Sequence, residues 1–181
     1  MSARPGGRSA RVRAEVLEAV LGELVEHGVD GLTVDGVAAR AGVHRSTLYR
    51  RWTDVGGLLV DALADAADDD WAPPDTGSLA GDLAALNREV LDTAPLTGAV
   101  LAASFRSPPP AAALRAFWAD RYARCAVVVQ RAVARGEVPA GTDPTAVLVA
   151  ATAPIFHHLF LLGDGVTHAQ SDAYAAAAAR S

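Results

Sequence analysis

Apolar residues recur at spacings of three and four along most of the chain, which is the pattern of one buried face of an α-helix. The first such segment predicts a helix from about Ala10 to His27, ended by Gly28 because glycine adopts the left-handed conformation without steric cost. We find no strand pattern and no internal repeat in the sequence, so we expect an all-α fold. Later helices are predicted over residues 55–66, 78–93, 96–105, 108–135, 144–162 and 167–180.

Between the first two of these segments, the sequence predicts two short helices around a tight turn. Thr33 is expected to cap the first short helix, and Gly42 to end it in the left-handed conformation. The second short helix carries Leu48 and Trp52 four residues apart, so both can be buried on one face. Together with the preceding long helix, these elements predict a three-helix core that contains a helix-turn-helix.

The outer face of the second short helix carries hydrogen-bonding and cationic side chains, namely His44, Arg45, Ser46, Tyr49, Arg50 and Arg51. A guanidinium can pair with a guanine edge, so we expect Arg45 to read a base and Arg50 and Arg51 to reach phosphates. At the start of the first short helix, Thr33 marks free backbone N–H groups that suit another phosphate. This face is typical of a helix that enters the major groove of DNA.

This region resembles the DNA-binding domain of TetR-type regulators in its run from Leu32 through Ala41-Gly42-Val43, Thr47-Leu48-Tyr49 and Trp52 to Leu58. The resemblance covers roughly the first third of the chain. It implies a dimeric transcriptional regulator, most often a repressor, with an N-terminal helix-turn-helix domain and a larger C-terminal helical domain that binds a ligand and dimerises. It also implies that the hydroxyls of Thr47 and Tyr49 bind backbone phosphates.

From these observations we expect residues 1–67 to bind double-stranded DNA and residues 78–181 to bind a small-molecule effector and form a homodimer. The last two long helices are expected to pair with their two-fold mates. The dimer would bind a palindromic operator, and the effector would favour a state in which the two recognition helices no longer match the operator.

The sequence departs from the resembled family just after Trp52. Family members usually show a polar cap, then a lysine and an acidic residue, and the lysine binds a backbone phosphate. Here the cap is Asp54, but Val55 and Gly56 follow it. The resemblance therefore implies that this chain has lost one phosphate contact.

The charge of the chain is unevenly divided. The net charge is −5, yet residues 1–53 hold eight Arg against six acidic residues, and residues 54–181 hold eight Arg against fifteen. The N-terminal part is thus net positive, as expected of a DNA-facing end. A basic arm within it either reaches the DNA or is a solvated tail, and its residues are Arg4, Arg8, Arg11 and Arg13.

A set of large apolar side chains in the second half is expected to line a cavity for a small apolar effector. Its members are Leu101, Phe105, Phe117, Trp118, Tyr122 and Phe156. Phe160 belongs to the same aromatic group. Ordinary core packing is the simpler interpretation of any one of them, and the family resemblance favours a cavity for the set.

The remaining polar groups predict no catalytic, metal or cofactor site. His157 and His158 are adjacent, so on a helix they diverge by about 100° and cannot share one metal ion. Ser104 and Cys125 lack a recognisable base or a glycine-rich elbow. Three aspartates at residues 68–70 suggest a magnesium–diphosphate site only with a second metal motif, which the sequence lacks, so we interpret them as a solvated charge run.

Composition agrees with a cytoplasmic globular protein. Hydrophobic residues make up 51% of the chain, and the single cysteine excludes a disulfide framework. The basic start lacks the apolar core of a signal peptide, and we expect no membrane span, because no uninterrupted apolar run reaches about 18 residues. Two alternatives stay open: a ligandless helix-turn-helix protein, which a core without a cavity would support, and a helical enzyme with a vestigial DNA-binding domain, which turnover would support.

Overall fold

The computed structural model describes residues 7–67, 71–106 and 108–180. Within these residues the chain is helical and contains no strand, which confirms the predicted all-α fold. The basic arm's Arg4, the side chain of Arg8 and the aspartates at 68–70 lie outside the described residues. The helices are α1 (Gly7–Gly31), α2 (Val34–Arg40), α3 (Arg45–Tyr49), α4 (Val55–Ala67), α5 (Leu79–Asp92), α6 (Ala94–Ser104), α7 (Pro108–Arg135), α8 (Pro144–Phe156) and α9 (His168–Ala178), with a π-helical segment at His157–Leu162.

By packing, the chain divides into two compact units. The first unit takes in residues 1–69 and 95–117, and the second takes in residues 70–94 and 118–181. Each unit has a hydrophobic core of its own. Most of α6 and the first part of α7 therefore belong to the unit that contains the helix-turn-helix.

The core of the first unit forms where α1 packs against α2 and α4. Its most deeply buried side chains are apolar and come from α1, α2, α3 and α4, namely Val16, Val20, Leu24, Val37, Leu48 and Leu58. Val100 and Ala103 of α6 belong to the same cluster. The long first helix breaks at Gly28, where φ is 67° and ψ is −175°, as the sequence predicted, and one further turn follows.

The second unit is organised by α5, which packs on both α8 and α9. Asn87 of α5 is fully buried at their junction. Its Nδ2 donates to the carbonyl oxygens of Ala151 on α8 at 3.1 Å and Ser171 on α9 at 3.0 Å. Because a buried amide is costly to leave unpaired, these two bonds fix the mutual register of three helices.

Cys125 is buried in the core of the second unit and is 4% exposed. Burial raises the pKa of its thiol to about 11, since the thiolate is poorly solvated there. A protonated, inaccessible thiol is a poor nucleophile, which agrees with the absence of a nucleophile motif around it.

The last part of the helix predicted over residues 144–162 differs from the sequence prediction in its helix type. The sequence predicts one helix over residues 144–162, whereas the α-helix ends at Phe156 and the chain continues as the wider π-helical segment His157–Leu162. Pro154 lies inside α8, and because proline lacks a backbone N–H, one intrahelical hydrogen bond is missing there. Gly163, with φ of 69°, then ends the segment.

The stretch Pro144–Leu162 leaves much of its apolar surface uncovered. Its mean hydropathy is 1.8 and only 22% of an 18-residue window is buried, so by length and composition alone it is long enough to cross a membrane. The core helix of a globular protein passes the same test. The expectation of no membrane span rested on uninterrupted apolar residues, and this stretch is interrupted by threonine, proline and histidine.

Candidate nucleic-acid interface

The turn between α2 and α3 has the local geometry that the sequence predicted. Thr33 Oγ1 accepts a hydrogen bond from the Gly36 N–H at 3.0 Å and so caps α2. Gly42 has φ of 64°, and the Val43 N–H donates to the Ala38 carbonyl at 3.0 Å to close the turn. These bonds satisfy the backbone groups at the helix ends and hold α3 at a defined angle to α2.

The recognition helix α3 is short, and its inner side is anchored at two points. Leu48 is fully buried and Trp52 is 7% exposed. The Trp52 indole N–H donates to Asp61 Oδ2 of α4 at 2.9 Å. Asp54 Oδ1 accepts from the Gly57 N–H at 2.8 Å, which confirms Asp54 as the cap of α4. A five-residue helix has little stability of its own, so these contacts are what keep α3 in place.

The predicted DNA-contacting side chains share the outer side of this region. Thr47 is half-buried, whereas the others are exposed: Thr33, His44, Arg45, Ser46, Tyr49, Arg50 and Arg51. His44 lies just before the helix, where its Nδ1 is 3.3 Å from the Ser46 N–H and accepts its hydrogen bond. His44 is therefore the cap of α3, a role that the sequence analysis did not assign to it.

Several arginines of the first unit are already paired with carboxylates. Arg40 Nε lies 2.6 Å from Glu23 Oε1, and Arg40 also bonds to Glu26. The bonds to Glu23 and Glu26 raise the pKa of Arg40, and the bond to Arg40 lowers the pKa of Glu26. Arg11 pairs with Glu15, and Arg13 pairs with Asp65 in the same way.

The arginines at the recognition helix differ from these, because none of them is held in a tight ion pair among the described residues. Arg50 and Arg51 have no acidic partner among the described residues, and the Arg51 guanidinium lies 5.5 Å from the centre of the Trp52 ring. Arg45 Nη1 is 4.0 Å from Asp35 Oδ1 of α2, and both side chains are largely exposed. The positive charge that is free to meet an anion in the stretch 33–52 is therefore concentrated on the outer side of α3.

Two features that position α2 escaped the sequence analysis. Glu23 of α1 is 7% exposed and binds Arg40 of α2 across the interface of the two helices. A Cβ on Gly36 would lie 2.5 Å from Glu23 Oε2, so a larger residue at this position would require the Glu23 carboxylate to shift. A glycine in the first turn of a short helix is itself unfavourable, and this was the one sequence signal that could have indicated a close contact.

Val55, the residue that replaces the family's lysine, is half-buried and packs against the core of the first unit. It stands at the first position of α4, directly after the Asp54 cap. Its side chain therefore has a packing role, which the phosphate-binding lysine of the resembled family need not have.

The predicted ligand-binding residues are divided between the two units. In the second unit, the ring centre of Trp118 lies 6.0 Å from that of Tyr122 and 5.6 Å from that of Phe156, and Phe156 stacks on Phe160 at 5.9 Å. We call these four residues the aromatic cluster. In the first unit, Leu101 and Phe117 are half-buried.

Phe105, which follows the end of α6 in the first unit, is 82% exposed. Such exposure does not fit a side chain that encloses an apolar ligand. Phe105 is therefore not part of the proposed effector site, which is confined to the aromatic cluster of the second unit.

Two family models match the chain. One, described as bacterial regulatory proteins of the tetR family, matches residues 16–67, and the other, described as the tetracyclin repressor-like C-terminal domain, matches residues 73–178. The chain belongs to the TetR family of transcriptional regulators. Its helix-turn-helix is thus a DNA-binding one, and its class is that of regulators rather than enzymes.

Individual relatives agree with this assignment. The transcriptional regulator AqdR of Rhodococcus erythropolis is 36% identical over 147 residues, which cover 78% of this chain and 71% of that one. The uncharacterised regulator YdeS of Bacillus subtilis is 27% identical over 179 residues, 91% of this chain and 86% of that one. The crystal structure of the TetR-family regulator SCO0332 is 29% identical, with a TM-score of 0.71 over 93% of this chain and 97% of that one.

A TetR-family regulator from Mesorhizobium loti shares the fold at 20% identity, with a TM-score of 0.68 over 95% of each chain. At this identity the likeness concerns the fold alone, and it extends over both units.

Proposed function

We propose that this TetR-family regulator is a repressor that binds a palindromic operator as a homodimer and is released from it by a small apolar effector. In this proposal residues 1–67 contact DNA, and residues 78–181 bind the effector and dimerise. The observation that carries it is the outer side of α3, where Arg45, Arg50 and Arg51 stand exposed above an inner side anchored by buried Leu48.

The division of labour on this face follows from the positions of the side chains. Arg45 opens α3 and is proposed to read a guanine edge, because the first residues of a recognition helix reach the base edges. Arg50 and Arg51 follow the helix and are proposed to bind phosphates. Thr33, His44, Ser46, Thr47 and Tyr49 are proposed to supply further polar contacts to the backbone of the operator.

The homodimer is supported by the uncovered apolar surface of the stretch Pro144–Leu162. Val149, Leu161 and Leu162 are 41%, 76% and 56% exposed, and an exposed apolar surface of this kind marks an interaction site. A two-fold axis that brings this stretch and α9 against their copies would cover it with the same surface. Such a dimer would present two recognition helices to an operator with two half-sites.

The effector is supported by the aromatic cluster of Trp118, Tyr122, Phe156 and Phe160, in which large apolar faces meet a single phenolic hydroxyl. A ligand that prefers one arrangement of these rings would shift the population of the protein toward that arrangement. The free energy of DNA binding would then become less favourable by the coupling free energy between the effector site and the DNA-binding face. A regulator of this kind acts where the DNA is, so we place it in the cytoplasm.

Selection of binding sites from random duplexes by the purified protein tests this function. The wild-type protein is expected to enrich an inverted repeat, with half-sites about one helical turn apart. Light scattering of the complex should show one dimer per repeat. Enrichment of a single half-site, or of no sequence, would contradict the proposal. Titration of the complex with a panel of small apolar compounds tests the effector separately from the DNA-binding claim.

A further inference from the structure

Among the described residues, one acidic side chain stands beside Arg45, the arginine that opens α3. Asp35 lies in the first turn of α2 with 72% of its side chain exposed, and its Oδ1 is 4.0 Å from Arg45 Nη1. The other carboxylates near α2, those of Glu23 and Glu26, are occupied by Arg40. Asp35 is thus the carboxylate that faces the arginine to which we assign base readout.

We propose that Asp35 is a specificity-determining residue, which positions the Arg45 guanidinium for a base and penalises its contact with phosphates. This inference rests on the proposed function, because it presupposes that Arg45 reads a base. Asp35 would thus be an acidic side chain that takes part in recognising a polyanion. Neither the charge pattern nor the helix-turn-helix motif indicates such a role.

The geometry leaves Arg45 available for a base. At 4.0 Å the two groups form an ion pair rather than a tight hydrogen bond, and 66% of the Arg45 side chain is exposed. A guanidinium has five N–H donors, and a guanine edge uses two of them. Arg45 can therefore contact guanine while another of its donors stays directed toward Asp35.

A phosphate contact is different, because the ligand itself carries a negative charge. If Arg45 turned to a phosphate, that phosphate would come close to the Asp35 carboxylate, and the two like charges would repel each other. This repulsion weakens binding to any DNA sequence that offers no guanine to Arg45. Asp35 should therefore lower the affinity for non-operator DNA more than the affinity for the operator, and raise the ratio of the two.

A purely structural role for Asp35 is the alternative. A carboxylate in the first turn of a helix stabilises the positive end of the helix dipole, and Asp35 is so placed on α2. In that case its removal would lower the melting temperature and would weaken binding to operator and non-operator DNA alike. The ratio of the two affinities and the salt dependence of each would then stay unchanged.

The experiment compares Asp35→Asn with the wild-type protein on the selected operator and on an unrelated duplex, across a range of salt concentrations. Asp35→Glu keeps the charge, and Asp35→Gln is a second neutral variant in case the asparagine destabilises α2. Glu18→Gln is the matched control, since Glu18 is an exposed residue of α1 without an ion pair among the described residues. Melting temperatures are measured for all variants.

We expect Asp35→Asn to bind the unrelated duplex about two- to ten-fold more tightly, because an exposed charge pair contributes a modest factor in each subunit. Its salt dependence on that duplex should steepen by about one unit per subunit, as one more phosphate is contacted. Affinity for the operator should change less, so that the specificity ratio falls. Asp35→Glu and Glu18→Gln should keep the wild-type ratio.

The double variant with Arg45→Ala decides the mechanism. If Asp35 acts through Arg45, Asp35→Asn should no longer change the specificity ratio once Arg45 is absent. The inference is overturned if the neutral variants keep the wild-type ratio, or if the ratio falls by the same factor in Glu18→Gln or without Arg45. A wild-type protein that enriches no sequence would reject the proposed function, and with it this inference.

Discussion

Two exposed regions of this protein differ in the kind of surface they present, since one is positively charged and the other is apolar. Around α3 the surface carries Arg50 and Arg51, which have no acidic partner among the described residues, whereas along Pro144–Leu162 it carries apolar side chains such as Leu161, 76% exposed, without a covering layer. An unbalanced positive charge is favourable next to a polyanion, and an uncovered apolar surface is favourable next to another apolar surface. The first region therefore suits DNA, and the second region supports the proposed homodimer.

The largest effect is expected from a charge placed on the apolar region. Leu161→Glu should raise the dissociation constant of the homodimer at least about 100-fold, because an unpaired carboxylate would be buried in each copy of the interface. Operator affinity should fall with it, since a monomer holds only one half-site. Light scattering at micromolar concentration measures the first effect, and a binding titration measures the second.

Val25→Glu is the control for this change, because Val25 is another exposed large apolar residue, on α1 and outside the proposed interface. It should leave the dimer intact. A wild-type protein that is monomeric at micromolar concentration would remove the basis for assigning the apolar region to a second copy.

Arg45→Ala should have the next largest effect. Loss of a guanine contact is expected to cost about 1–3 kcal/mol in operator affinity and to relax the preference at one base pair per half-site. A repeated binding-site selection with the variant measures both. An unchanged sequence preference would show that Arg45 does not read a base, even if the affinity falls.

Arg50→Ala should change affinity without changing sequence preference. A phosphate contact carries no base identity, so binding to all duplexes should weaken alike, and the salt dependence should decrease by about one unit per subunit. The control is Arg88→Ala, which removes an arginine of α5 that pairs with Asp172 in the second unit. If Arg50→Ala altered the selected sequence, the division between base and phosphate contacts on α3 would have to be redrawn.

The smallest effect is expected at Val55, whose side chain carries no charge and packs against the core of the first unit. Val55→Lys should restore a phosphate contact, tighten binding to any duplex and steepen the salt dependence by about one unit per half-site. The half-buried position of Val55 sets a limit, because its packing against the first core would be lost. Melting temperatures measured beside the salt titration separate the two effects, and a stable variant with an unchanged salt dependence would show that this end of α4 does not approach the DNA backbone.

Local patterns made much of the fold predictable. Thr33 caps α2 as expected, and Ser78, Asp143 and Thr167 cap α5, α8 and α9 in the same way, because a capping side chain bonds to a backbone N–H only two or three residues away. Gly42 adopts the left-handed conformation for an equally local reason. The exposed cations of α3 were predictable too, since the buried Leu48 and Trp52 determine which side of a short helix faces outward.

The prediction of the ligand-binding set was weaker, because an aromatic side chain suits a core and a cavity equally well. Trp118, Tyr122 and Phe156 do meet in the second unit, but Phe105 stands exposed in the first. The spacing of residues along one helix shows which face they share, and it contains no information on what lies opposite that face.

The sequence by itself determined the helices, their caps and the helix-turn-helix, because each depends on interactions between residues a few positions apart. Only the tertiary structure decided that Asn87 links three helices, that Gly36 lies close to the Glu23 carboxylate, and that Asp35 faces Arg45. These contacts join different helices, and each depends on the distance and angle at which the helices pack. Packing arises from the summed burial of many side chains, which no single stretch of the sequence specifies.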